Sequence, residues 1–379
     1  MAIIKNARIF NGEVFTPLTA VRFEDAIIQE LYAQYDAPDA IDAQGAILAP
    51  GFVDLHIHGS FGKDVLVPGG TAHLVKHLPS VGTTSFCPTN ATDSFETIHR
   101  FLGEVKQEMA HNHQGTRILG AHIEGPFFNV DNRGAHATPM LQDPTLENYR
   151  KMAGEYEDVI VRVSLAPEKK GGMELIGYLA QKGVVVSAAH TDANAAEMEE
   201  AIAKGVTMVT HTFNGMYAFH HRKEGAISVT LTDDRVTCEF IPDLHHINKY
   251  AAKLIMKAKG FEKTFICSDA LEPAHQGEGT FQMAGQEIYV KDGAAHMADD
   301  GRLAGSIISP LMGVRNLLQA TDVSLEHALK MGTCNPAKAI GDTSIGSIQV
   351  GKKADFVLLS QDLQLLQTYI RGKLEYSAQ

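Results

Sequence analysis

From about residue 50 to residue 270 one hydrophobic pattern recurs: a short apolar run rich in Val, Ile, Phe and Thr ends in polar residues, and a segment with helical spacing usually follows. The runs are 52–58 (FVDLHIH), 82–87 (GTTSFC), 117–123 (RILGAHI), 159–165 (VIVRVSL), 184–189 (VVVSAA), 206–210 (VTMVT), 236–241 (VTCEFI) and 264–268 (TFICS). Helical spacing falls at 94–109, 172–182, 192–204 and 247–259, with Asp192 placed as an N-cap and Gly183 and Gly205 where C-cap glycines belong. Strands that alternate with helices form parallel sheets through helical crossovers. An open doubly wound sheet competes with this arrangement, but eight units favour closure into a (β/α)8 barrel, which carries its chemistry at the C-terminal strand ends. The sixth connection, 212–235, is polar and glycine-rich and shows no amphipathic helix.

The two chain ends follow a different rhythm. Residues 1–49 and 345–379 alternate and turn as small antiparallel strands do, so both ends are expected to combine into one β domain beside a barrel spanning 50–344. Residues 277–305, with many glycines and short alternating runs, predict a hairpin insertion.

Composition narrows the function classes. The 379 residues carry a formal net charge of −12, which argues against a nucleic-acid partner, because phosphate backbones demand clustered Lys and Arg. No run approaches the roughly 18 apolar residues of a membrane span, and MAIIKNARIFNGE lacks a signal-peptide pattern, so a cytoplasmic protein without membrane association is expected. Cys87, Cys238, Cys267 and Cys334 are far apart and read as reduced, buried thiols.

Candidate chemistry lies at the strand ends. In PGFVDLHIHG, His56 and His58 are two residues apart on a strand and therefore face the same side, which makes half of a zinc or iron site. The third run ends His122-Ile123-Glu124, the fifth at His190, the sixth at His211 and the eighth at Asp269. Singly, Asp269 could cap a loop and Glu124 could pair with Arg133; five of eight strands ending in His, Glu or Asp on one face points to a metal centre. Lys169 and Lys170 follow the fourth strand rather than lying in it, which disfavours a carboxylated lysine and leaves Glu124 as the bridging carboxylate. Histidines 73, 77, 99, 111, 113, 275, 296 and 327 read as surface or structural residues. No phosphate-binding glycine loop is present. His220-His221-Arg222-Lys223 and His245-His246 nevertheless follow the sixth and seventh strands, and Arg222 could clamp a phosphate bidentately. Asn214-Gly215 brings an amide and an open backbone to the same rim.

PGFVDLHIHG and the closing IGSIQVGKKADFVLL resemble the amidohydrolase superfamily; AHIEGPFFN, RGAHATP, SAAHT, THTFNGM and DDGRLAGS are similar, more narrowly, to N-acetylglucosamine-6-phosphate deacetylases. The resemblance covers nearly the whole chain in order. It implies a barrel with a β-sandwich built from both termini, usually as a homodimer, acting on a phosphorylated amino sugar to release acetate. Glu124, His190 and His211 match the principal metal ligands, and His56 and His58 match a second site found in some members, so one or two divalent ions, zinc or iron, are implied. Asp269 matches the catalytic acid/base. His136, Asn214, Gly215, Arg222, His246 and the Leu303-Ala304-Gly305 segment match substrate contacts. Members often carry Ala where Gly215 stands and Gly-Leu-His or Gly-Ile-His where Leu244-His245-His246 stands; His246 is the residue expected to touch substrate. A cyclic amidase or deaminase, or a non-catalytic scaffold, are the competing readings.

Overall fold

A computed structural model describes residues 1–111, 113–283 and 285–378. Eight parallel strands form the barrel: β1 (Phe52–Ile57), β2 (Thr83–Asn90), β3 (Ala121–Glu124), β4 (Ile160–Leu165), β5 (Val185–Ala188), β6 (Val206–Val209), β7 (Thr237–Phe240) and β8 (Thr264–Ile266). Each pairs in parallel with the next. Closure follows just beyond β8, where Ala270 bridges Ile57 and the Asp269 N–H donates to His56 O at 2.8 Å. All eight strands coincide with the apolar runs, because parallel strands buried on both faces have few positions left for polar side chains.

The helices Phe95–His111, Gly172–Gln181, Ala195–Lys204 and Lys249–Lys259 occupy the segments with helical spacing. The third of these starts later than expected: Asn194, not Asp192, is its N-cap, in a reciprocal capping box with Glu197. Asp192 instead gives its backbone N–H to Glu168 at 2.8 Å. The sixth connection does contain a helix, Ala226–Thr232, of seven residues. Five of them (Ala226, Ile227, Val229, Thr230 and Leu231) are buried, and its polar side is only Ser228 and Thr232, too little over seven residues to show an amphipathic period.

Both termini supply the smaller β structure. One sheet orders Ile27–Tyr32, Ala20–Glu24, Ala2–Lys5 and Ile41–Asp42; the other orders Arg8–Ile9, Ile47–Pro50, Phe356–Leu359, Leu365–Ile370 and Lys373–Ser377. Ile4, Val21, Phe23 and Ile28 from the first pack with Leu48, Phe356, Leu358 and Tyr369 from the second, forming a sandwich core of their own. Gly51 joins this sandwich to β1 in a space that admits no side chain: a Cβ there would lie 2.1 Å from Thr84.

The insertion after β8 is a three-stranded antiparallel sheet, Gly279–Met283, Gln286–Lys291 and Ala294–Met297, one strand more than a hairpin. It leans on the segment carrying His136, where Gln286 donates to Ala135 O at 3.0 Å and Arg302 to Gly134 O at 3.2 Å. Among the described residues no helix is long and apolar enough to cross a membrane.

Candidate metal centre and active site

At the C-terminal mouth, residues far apart in the chain converge on a cavity of about 150 Å³. His58, Glu124, His136, His190, His211, Asn214, Gly215, His246, Asp269, Leu303 and Gly305 line it. His56 lies beneath it, fully enclosed. Ala304 is buried behind the wall with Ile288 and Ala295, and Arg222 stands exposed on its loop; neither lines the cavity. Arg133 donates to Val130 O at 2.9 Å and not to Glu124.

Two triangles of donor atoms meet there. Glu124 Oε1, His190 Nε2 and His211 Nε2 are separated by 3.2, 3.3 and 3.1 Å. His56 Nε2, His58 Nε2 and Asp269 Oδ1 are separated by 3.2, 3.3 and 3.1 Å. Ligands on one tetrahedral ion with bonds of about 2.0 Å stand about 3.3 Å apart, so each triangle has the dimensions of a divalent cation's ligand face. Glu124 joins the two: its Oε1 belongs to the first triangle, and its Oε2 lies 3.7 Å from His58 Nε2. The outer hydrogen bonds agree with this use. His190 Nδ1 donates to Asn132 O at 2.7 Å and His58 Nδ1 to Thr89 O at 3.0 Å, which leaves each Nε2 lone pair facing inward. The residues fit a divalent metal.

The backbone at these positions is unusual. His190, His211 and Asp269 have φ of 45°, 29° and 49°, a left-handed region that costs non-glycine residues of order 1–3 kcal/mol each. Three strained residues at three strand ends, all turned into one cavity, mark a site where geometry has been kept at the expense of local comfort. Gly215 approaches so closely that a Cβ would stand 2.5 Å from His190 Nδ1, and a Cβ on Gly305 would stand 2.8 Å from Asp269 O.

Electrostatics keep both carboxylates charged. Burial raises the pKa of Glu124, but His136, His190 and His211 outweigh it and hold the group well below the usual carboxylate range. For Asp269 burial is likewise overcome, by His56 and His58, and the pKa falls to about 2. His56 goes the other way: burial disfavours its charge, yet Asp269 and Glu239 lift it to about 9 when no cation is present, so proton and metal compete for the same lone pair. His136 accepts the Thr92 N–H on Nδ1 at 3.3 Å and therefore donates from Nε2 to Glu124 Oε2 at 3.1 Å. Burial lowers its pKa despite Glu124, leaving a neutral ring with a fixed N–H at the cavity wall.

Strand-end reasoning missed the layer below. His122, Arg162, Ser164, Thr210 and Glu239 fill the lumen with hydrogen-bonded polar groups and are fully enclosed. A charged residue inside each of the apolar runs VIVRVSL and VTCEFI was the available signal.

A sequence profile of the amidohydrolase family matches residues 47–374. An N-acetylglucosamine-6-phosphate deacetylase of Lysinibacillus sphaericus is 32% identical over 98% of this chain and 97% of its own. An N-acetylgalactosamine-6-phosphate deacetylase of Escherichia coli O157:H7 is 30% identical over 98% of each. A variant N-acetyl-D-glucosamine-6-phosphate deacetylase of Mycobacterium smegmatis, solved in complex with N-acetyl-D-glucosamine-6-phosphate, superposes with a TM-score of 0.92 at 26% identity, covering 99% of both chains.

Proposed function

The chain belongs to the amidohydrolase family, as a metal-dependent amide hydrolase, and we propose that it cleaves the acetamide of N-acetylglucosamine-6-phosphate to glucosamine-6-phosphate and acetate. The observation that carries this reading is the convergence of Glu124, His190 and His211 on one ligand-sized triangle beside Asp269. One or two divalent ions, zinc or iron by the nitrogen and oxygen donor set, would be held by Glu124, His190 and His211 and by His56, His58 and Asp269. Such an ion, when bound, polarises a carbonyl and lowers the pKa of a water from about 15.7 toward about 7.

The protein's own groups supply the rest. Asp269, ionised at neutral pH, takes the proton of the attacking water and returns it to the nitrogen as the C–N bond breaks. Return of the proton matters because an amide anion is a poor leaving group. The His136 Nε2–H, which donates to Glu124 Oε2 without substrate, lies at the cavity wall and shifts its hydrogen bond to the carbonyl oxygen as negative charge develops there. Asn214 and Gly215 meet the sugar hydroxyls, and Leu303 and Gly305 close the wall beside Asp269. His246, held by Asp243 at 2.7 Å, and Arg222 on the neighbouring loop bind the phosphate.

Exposed Tyr217, Phe219 and Leu244 on the loops after β6 and β7 suit a homodimer whose partner copy covers this rim. The direct test is acetate release from N-acetylglucosamine-6-phosphate, with and without chelator, alongside elemental analysis and the C4-epimeric galactosamine substrate. Failure to release acetate from either sugar phosphate with metal bound would overturn the assignment.

A further inference from the structure

The histidines of the two cation positions rest on different outer partners. His58 and His190 give Nδ1 to the backbone carbonyls of Thr89 and Asn132, acceptors that no side-chain change removes. His211 Nδ1 is buried without a hydrogen-bond partner among the described residues. His56 is different: its Nδ1 lies 2.9 Å from Glu239 Oε1, a side-chain carboxylate.

Glu239 is fully enclosed and is gripped by Arg162 Nη1 in a short ion pair. Arg162, also fully enclosed, continues to Thr210 Oγ1 at 2.9 Å, Ser187 Oγ at 3.1 Å and Leu55 O at 3.3 Å. Thr210 contacts Ser164 at 2.8 Å, Ser164 contacts His122 at 2.7 Å, and His122 contacts Thr89 Oγ1 at 3.2 Å. Thr89 is the residue whose carbonyl holds His58. The contacts thus leave His56 and return at His58, forming a ring beneath the pair.

Folding alone gives this ion pair little reason to exist. A barrel lumen is ordinarily packed with branched apolar side chains, and a buried ion pair is often no more stabilising than apolar residues of similar volume. A carboxylate behind a histidine, however, fixes which ring nitrogen carries the proton and raises the basicity of the other.

We propose that Glu239 and Arg162 are positioning residues that orient His56 and thereby set the affinity of the His56–His58–Asp269 position for a divalent cation, separately from the Glu124–His190–His211 position. Glu239 holds the proton on Nδ1 and turns the Nε2 lone pair toward His58 and Asp269; Arg162 holds Glu239 in place. The same Glu239 Oε1 also accepts the His211 backbone N–H at 3.2 Å, so a glutamine oxygen there would keep both bonds and remove only the charge that raises the basicity of the His56 Nε2 lone pair.

The inference rests on the reading of the site as a metal centre, and one titration tests the two apart. Metal-free wild type, His56→Gln and the double variant Glu239→Gln/Arg162→Met are titrated with Zn²⁺ against a chromophoric chelator. Bound metal is counted by elemental analysis, and folding is checked by circular dichroism and melting of the metal-free forms. The expected result is two equivalents for wild type, with the double variant keeping the tighter equivalent and losing about 10–100-fold in affinity for the other. A folded double variant that binds both equivalents as wild type does would overturn the proposal. So would equal weakening of both, or a wild type that takes up one equivalent unchanged by His56→Gln. A wild type that takes up none defeats the metal-centre reading itself. Should the double variant fail to fold, Glu239→Gln alone, which keeps Arg162's bonds to Thr210, Ser187 and Leu55, is judged by the same outcomes.

Discussion

His190 Nε2 and His211 Nε2 face each other across 3.1 Å, with Glu124 Oε1 at 3.2 and 3.3 Å completing the triangle. Two ring nitrogens this close repel unless a proton or a cation shares the space. A cation bound only by the folded chain stabilises it by about 2.7 kcal/mol when present at 100 times its Kd. Chelation should therefore abolish turnover and lower Tm by a few degrees, with both restored by added metal. Calorimetry and an activity assay on the same sample check this; unchanged melting and turnover in metal-free protein would refute it.

Asp269 stands 3.3 Å from His56 Nε2 and 3.1 Å from His58 Nε2 and also lines the cavity. Asp269→Asn keeps the shape and removes the proton acceptor. Turnover should fall by about 10²–10⁴-fold, with the fold retained by circular dichroism. Near-normal kcat in the purified variant would remove Asp269 from the acid/base role.

His136 offers a donor whose direction is set by the Thr92 N–H on its other nitrogen. His136→Phe preserves the ring and deletes the N–H. A drop in kcat of about 10²–10³-fold, with KM moving much less, is the expected signature of a group that acts on developing charge. A change confined to KM would assign His136 to substrate binding instead.

The phosphate reading gives a pH dependence with a definite sign. Burial disfavours the charged form of His246, but the Asp243 hydrogen bond and charge, helped by Asp269, outweigh it and raise the pKa above the ordinary 6.5. Attraction to phosphate thus persists to higher pH than an ordinary histidine would give and is lost as pH rises through that raised value. KM for the phosphorylated sugar should climb on the alkaline side, and Asp243→Asn should move the climb to lower pH. Arg222→Ala should raise KM for the sugar phosphate by about 10–100-fold, the worth of a charge-assisted hydrogen bond, and leave an unphosphorylated N-acetyl sugar unaffected. Steady-state kinetics on both substrates decide; equal losses would take Arg222 out of the phosphate site.

The architecture was legible along the chain because its causes are local. Strands buried on both faces must read as apolar runs, and a helix exposed on one side must repeat near 3.6 residues, so the eight strands and the amphipathic helices declared themselves. The short helix Ala226–Thr232 did not, since seven mostly buried residues leave too few polar positions to show that period. Histidine and carboxylate at the strand ends were equally visible, for each interrupts an apolar run. What depended on barrel closure was their relation. Glu124 meets His190 across 66 positions and His211 across 87, distances that no local pattern encodes. Closure also put Asp269 into the triangle of His56 and His58, left Arg222 outside the cavity, and set Glu239 behind His56 across 183 positions. Residue types and their periodicity follow from solvent exposure along one element, whereas ligand triangles follow from which strands become neighbours when the sheet closes on itself.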